Sequence, residues 1–272
     1  MPNSQAATID LIAGCCARIE AVCAGLDDAG WHCPTALPAW DVQDVVAHLG
    51  SVEGMLIGRD EPPHQPAVMD HVRNPLGALN EGMVDRRRGW SGAEVLDEFR
   101  EVAALRLDEL RALDEEALAR QVPSPRGGTM SQGDFLGMRL WDYFVHEMDI
   151  CDALGLAFPV DTPAGRRVLD EMLSLLPRAV AKGGVGEGGV VVLELTDPLR
   201  RSAVAEVRDG RGRMPDTLAG EATLHLRASP AVFLRIGSGR REPGEAIAGG
   251  AVHVDGDTGL AAAVLAALNV VP

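Results

Sequence analysis

Asp142, His146 and Asp149 follow one another at one-turn spacings in residues 140–155, LWDYFVHEMDICDALG. At about 100° per residue, Asp142 and His146 stand one turn apart on one side of a helix, with Asp149 a further turn along. Their neighbours Trp141, Tyr143, Phe144, Val145, Met148, Ile150 and Cys151 make that helix apolar almost all round, which predicts burial. A buried Asp and His are costly unless each is paired, hydrogen-bonded or bound to a cation. A catalytic metal asks for about three protein ligands from His, Asp, Glu or Cys and one open position. Asp142 and His146 can supply two from one helix face, and His48, on another helix, can supply the third. A simpler arrangement uses the same residues: Asp142 and His146 hydrogen-bond each other while His48 caps or packs. Spacing alone leaves both open.

The elements that position these residues are helices. Ile9, Ile12, Cys16, Ile19, Val22 and Cys23 form the stripe of an amphipathic helix over about residues 5–27, ending near Gly25. Residues 31–40, WHCPTALPAW, contain two prolines and read as a loop carrying two tryptophans. Asp41 is the N-cap and Asp44 the N3 residue of a helix running to about Gly58, with Trp40 and Val45 placed as a hydrophobic staple. Val42, Val45, Val46, Leu49, Val52 and Leu56 form its stripe, and His48 projects roughly 80° from the stripe's centre, at the edge of the core. Residues 59–75, with four prolines, His64 and His71, read as a mobile surface loop. Helical patterns follow over residues 76–88 and from Ser91 to about Leu113. After the loop at 123–128, Ser131 and Asp134 form a capping-box-like start, stapled by Met130 and Phe135, for the helix that runs to Leu154 and stops at Gly155. Four principal helices in roughly 155 residues make a plausible bundle.

After the linker at 158–163 the character of the chain changes. One helix over about 164–180, β-like runs at 190–195, 203–207, 222–226 and 251–254, and helices over 231–236 and 260–268 make an α+β half. The expected domains are therefore residues 1–158, a helix bundle, and 159–272, a small α+β domain. The glycines of 183–189 lack the strand-to-helix context of a dinucleotide fingerprint and read as a turn.

Forty acidic against twenty-five basic residues give a net charge of -15, which argues against a nucleic-acid-binding surface. Five cysteines with no C-x-x-C spacing read as reduced thiols in a cytoplasmic protein. Leu11 to Cys15 has the look of a lipoprotein box, but no Lys or Arg precedes it and Asp10 interrupts the apolar run, so no signal peptide is expected. No apolar run is long enough for a membrane span. His64, His71, His225 and His253 lack ligand-like spacing, and no G-x-S-x-G or paired-carboxylate pattern is present.

Residues 39–49, AWDVQDVVAHL, together with residues 145–155, VHEMDICDALG, resemble the DinB-like, mycothiol-dependent maleylpyruvate isomerase family. The resemblance covers nearly the whole chain and implies a metal-binding four-helix bundle followed by a sterol-carrier-like α+β domain. It implies that His48, Asp142 and His146 hold the metal. Most relatives carry Glu where this chain has Asp142, one methylene shorter. The resemblance also implies a C-terminal arginine that meets a substrate carboxylate, matched here by Ser238-Gly239-Arg240-Arg241. Arg240 takes that catalytic role and Arg241 is a cofactor-binding candidate. An arginine fork suits a planar carboxylate.

The same resemblance implies a cytoplasmic, metal-dependent enzyme, a monomer or homodimer acting on a small electrophile, with no nucleic-acid or membrane partner. A divalent metal, zinc foremost, would hold a low-molecular-weight thiol, mycothiol, as thiolate. Expulsion of sulfur after attack gives cis-trans isomerisation, and retention gives S-transfer. Two rivals stand beside this: a non-enzymatic protein binding metal or an apolar ligand, and a metal-dependent hydrolase. The proline-rich loop at 59–75 is expected to border thiol entry.

Overall fold

Helix starts in the first half are set by short polar side chains that accept the otherwise unpaired N–H groups of the first turn. The structure, a computed structural model, describes residues 4–66, 69–125, 127–215 and 221–269. The chain divides into two compact units, Met1–Phe158 and Pro159–Pro272.

In the first unit, α1 (Ser4–Cys23) is followed by the short α2 (Asp28–Trp31) and by α3 (Val42–Leu56). Then come α4 (Pro75–Asp85), α5 (Gly92–Arg111), α6 (Glu115–Ala119), the hairpin strands β1 (Gln121–Pro123) and β2 (Thr129–Ser131), and α7 (Gln132–Ala153). Asp41 and Asp44 form a full capping box on α3, Ser91 and Glu94 another on α5, and Ser131 caps α7. The long helices pack in a ring: α1 lies against α5 and α7, and α3 against the same two. The result is a four-helix bundle. Its core includes Ile12, Ile19, Val45, Leu49, Phe99, Val102, Leu140 and Met148, each 3% exposed or less.

Several details differ from the sequence reading. The first helix ends at Cys23, and Trp31, read as loop, closes α2 and is buried. The loop after Gln121 holds the β1–β2 hairpin, paired Val122 to Met130; Arg126 of that loop lies outside the described residues. His48 is fully in the core, because α3 is buried on nearly every side from Val42 to Gly54. The loop at 59–75 is tied down at its described residues: His64 pairs with Asp85, His71 with Glu81, and Arg87 with Glu61. Residues 67 and 68 of that loop lie outside the described residues.

In the second unit, the helix expected over 164–180 is two, α8 (Pro163–Ser174) and α9 (Leu176–Lys182), with Pro177 in the first turn of the second. The strands are β3 (Val190–Leu195), β4 (Arg201–Arg208), β5 (Arg211–Arg213) and β6 (Leu224–Ala228). They are followed by α10 (Pro230–Gly237), α11 (Pro243–Ala248), β7 (Val252–Asp255) and α12 (Thr258–Ala266). One five-stranded sheet results, in the order β5-β4-β3-β6-β7, with only the β3–β6 pair parallel. Val191, Leu193, Ala205, Leu224 and Leu226 line its buried face, opposite the exposed Glu194, His225 and Arg227 side. All five cysteines are free thiols. No helix among the described residues is long and apolar enough to cross a membrane.

Candidate metal centre

Arg139, Asp142, His146 and Asp149 recur on α7 at steps of three, four and three, so they form one polar seam on an otherwise apolar helix. His48 reaches that seam from α3. One ligand atom from each of His48, Asp142 and His146 lies within 4.8 Å of the others, and among the described residues theirs is the only such grouping.

The separations bear on what the group can bind. The Nε2 of His48 is 3.5 Å from Oδ2 of Asp142, and the Nε2 of His146 is 3.5 Å from Oδ1. Good N–H···O hydrogen bonds are about 2.7–3.2 Å. Tetrahedral ligands at about 2.1 Å from a metal stand about 3.4 Å apart. The two histidines therefore stand off Asp142 by the edge of a coordination tetrahedron rather than by a hydrogen bond. His48 turns Nε2 to Asp142, and its Nδ1 is buried with no hydrogen-bond partner among the described residues. The donor set, two imidazoles and a carboxylate, fits a divalent transition metal with a position left open.

Surrounding groups orient each of the three. The Nδ1 of His146 bonds Oδ2 of Asp149 at 3.0 Å, which places the ring proton on Nδ1 and leaves the Nε2 lone pair facing Asp142. Trp40 packs against His48 with ring centroids 5.3 Å apart, and the two imidazoles meet edge to face at 5.0 Å. Arg139 donates from Nη1 to Oδ2 of Asp142 at 2.6 Å. Its Nε and Nη2 both reach Oε1 of Glu53, at 2.9 and 2.6 Å. Asp149 and Glu53 are almost wholly buried, while the Asp142 side chain keeps 30% of its surface exposed.

The electrostatics follow from this packing. Burial drives the His48 pKa below the ordinary imidazole value, despite an opposing pull from Asp142. Burial acts the same way on His146, but the Asp142 charge and the bonds to Asp142 and Asp149 outweigh it and leave the pKa raised. For Asp142, burial opposes ionisation, and Arg139 with the two histidines overcomes it and holds the carboxyl well below its usual range. In the metal-free protein Asp142 is an anion, His48 is neutral, and His146 is the proton acceptor of the group.

Arg240 and Arg241 lie in the second unit, in the turn that ends α10. Their backbone N–H groups both donate to the carbonyl of Arg235, at 2.7 and 3.1 Å. Gly239, at φ +73°, supplies the left-handed step that makes this turn. Both side chains are half-buried, and Arg240 Nη1 donates to the Ser238 carbonyl at 2.7 Å. The sequence reading missed Arg139 and Glu53. The stretch singled out at 140–155 leaves out Arg139 by one residue, although an Arg three positions before a buried Asp on the same helix is itself a pairing signal.

Known families match both halves of the chain. The model of the family described as mycothiol maleylpyruvate isomerase N-terminal domain matches residues 12–151, and that of the SCP-2 sterol transfer family matches residues 185–269. The crystal structure of a mycothiol-dependent maleylpyruvate isomerase superposes with a TM-score of 0.57 at 19% identity, covering 88% of this chain and 90% of that one. A histidine-to-alanine mutant of such an isomerase gives a TM-score of 0.55 with the same identity and coverage. An apo sterol carrier protein 2 from Yarrowia lipolytica covers 38% of this chain at 15% identity, with a TM-score of 0.31. No curated protein matches the chain.

Proposed function

The chain belongs to the mycothiol maleylpyruvate isomerase N-terminal domain family, and from that premise we propose that it is a thiol-dependent, metal-requiring enzyme of the cytoplasm that isomerises a small unsaturated acid, with mycothiol as the thiol. The convergence of His48, Asp142 and His146 within 4.8 Å carries the reading. These three residues would hold the metal, with zinc the best match to two imidazoles and one carboxylate. A divalent cation bound there supplies the Lewis acidity that keeps a thiol ionised at neutral pH.

The chain's own residues do the rest. Asp149 keeps the His146 proton on Nδ1, so that Nε2 keeps its lone pair for a metal. Burial keeps His48 neutral. Arg240 meets the substrate carboxylate, and Arg241 beside it contributes to cofactor binding. When bound as thiolate, the thiol would supply reversible addition to a conjugated double bond, the chemistry that lets such a bond turn from cis to trans. Thiol is regenerated and no atom is gained or lost. A family that handles thiol adducts could also retain the sulfur, so S-transfer is the alternative outcome at the same site.

The test combines elemental analysis, thiol titration and an isomerisation assay with mycothiol and cis unsaturated acids. One metal per chain is expected, lost together with thiol binding in His48→Ala and His146→Ala, and isomerisation is expected to need the thiol. Metal without thiol affinity would make the protein a binding module. A hydrolysis product formed without thiol would make it a hydrolase.

A further inference from the structure

The polar seam on α7 continues beyond the three ligands. Arg139 lies between two carboxylates, with its fork satisfied on both sides and its Cζ 5.2 Å from the centre of the Tyr143 ring. Only 9% of its side chain is exposed, and only 4% of that of Glu53. A buried ion pair is weak evidence for stability, since well-packed apolar residues often serve as well. Stability therefore does not explain why this fork points at Asp142.

We infer that Arg139, clamped by Glu53, is the positioning residue that fixes the short Asp142 side chain for metal binding. The inference rests on the proposed metal site. Three observations carry it. First, Nη1 takes Oδ2 at 2.6 Å, and the carboxylate so held turns Oδ2 toward His48 Nε2 and Oδ1 toward His146 Nε2, each at 3.5 Å, so one anchored oxygen sets how both face the site. Second, Glu53 takes both Nε and Nη2 on one oxygen, which fixes the plane of the guanidinium and hence the rotamer of Asp142. Third, the charges balance: Glu53 faces Arg139 with Oε1 and Arg106 Nε with Oε2 at 3.5 Å, and Glu109 answers Arg106 at 3.2 Å, so two carboxylates offset two guanidiniums. The clamp thus orients a carboxylate without adding a net positive charge that would repel a cation.

An Asp at this position has one methylene fewer than a Glu and less reach, so its placement depends on what holds it. Lysine cannot replace Arg139, because a single ammonium cannot bridge two carboxylates in a fixed plane or stack on Tyr143. With Glu at position 142 the longer arm reaches the metal on its own and the clamp matters less.

The experiment is a two-by-two set: wild type, Arg139→Lys, Asp142→Glu and the double variant. Each is titrated with Zn2+ by competition and with Co2+ by its visible absorption, and its melting is followed as a control. In the Asp142 background, Arg139→Lys should weaken metal binding about 10–100-fold and change the intensity of the Co2+ bands. In the Asp142→Glu background it should cost about twofold or less. Equal losses in both backgrounds, or none, overturn the clamp and reduce Arg139 to a packing residue. A wild type that binds no metal overturns the metal reading itself, and this result is seen before any variant is measured. Should Arg139→Lys not fold, the pair Glu53→Gln with Arg139→Met removes both halves of the clamp together, while Arg106 keeps Glu109 and Asp142 keeps the two histidines as partners. It should show the same 10–100-fold loss, and unchanged affinity in it would overturn the inference equally.

Discussion

The Nδ1 of His146 lies 3.0 Å from Oδ2 of Asp149, while the Nε2 of the same ring faces Oδ1 of Asp142 at 3.5 Å. One ring is therefore hydrogen-bonded at one nitrogen and spaced for coordination at the other. Replacing Asp149 by Asn keeps the shape but removes the charge that raises the basicity of the ring. Metal affinity should fall by about 10–100-fold with little change in melting temperature, as measured by competition against a chelator of known affinity. Unchanged affinity would mean that Asp149 only packs.

The core of this site is legible in the sequence because its residues lie on two short motifs. Asp142 and His146 share a helix face by spacing, and the Asp41–Asp44 box fixes the start of the helix that carries His48. The clamp is not legible in the same way. Glu53 and Arg139 are 86 positions apart, and no periodicity says which face of α3 meets α7 in which register. The same holds for Arg18, whose Nε and Nη2 reach Glu147 across the α1–α7 packing at 2.6 and 2.8 Å. In the second half, α11 and β5 are short, and six or three residues carry too little pattern to stand out.

Proton competition gives a second prediction. Metal binding needs the His146 Nε2 lone pair, and the pKa of His146 lies above the ordinary imidazole value in the metal-free protein. Affinity should therefore fall as pH drops, with the onset above the usual histidine range. His48, whose pKa burial lowers, should add no competition until lower pH. In the metal-free protein the same shift has the opposite sense for folding. The stability contributed by protonated His146 is fully present below the unfolded imidazole pKa and lost as pH rises through the folded one. Chelator competition between about pH 5 and 8 measures the first effect, and an onset at the ordinary imidazole pKa would contradict it.

Asp44 yields a stability prediction of its own. Burial, aided by the charge of Asp41, pushes its pKa up to about 6 against the pull of Arg88. A carboxyl raised in the folded state favours folding most when it is protonated. Its contribution is present below the unfolded Asp pKa and is lost as pH rises through about 6. The Asp44→Asn variant keeps an oxygen for the Asp41 N–H and removes this titration. Compared with wild type, it should gain stability progressively between about pH 4 and about 6 in urea unfolding. Parallel curves for the two proteins would contradict the shift.

Glu81 joins the wall of the site to the loop at 59–75. It is 0% exposed and accepts from Trp40 Nε1 at 2.9 Å, His71 Nε2 at 2.9 Å and Arg88 Nη1 at 2.6 Å. Trp40 is the residue packed on His48, so loosening it should be felt at the metal. Truncation in Glu81→Ala leaves three donors without their acceptor and should cost about 3–5 kcal/mol. Glu81→Gln keeps one acceptor oxygen and should cost less. Burial opposes ionisation of Glu81, but the bonds from Arg88, Trp40 and His71 leave its pKa lowered. Its contribution is therefore present above the unfolded Glu pKa and lost as pH falls through the folded one, opposite in sense to Asp44. Urea unfolding at neutral pH and at pH below about 4 should show the Glu81→Ala deficit unchanged down to the unfolded Glu pKa and shrinking below it. A deficit below about 1 kcal/mol, or one that grows on acidification, would mean that these donors find water instead and that the loop is not held through Glu81.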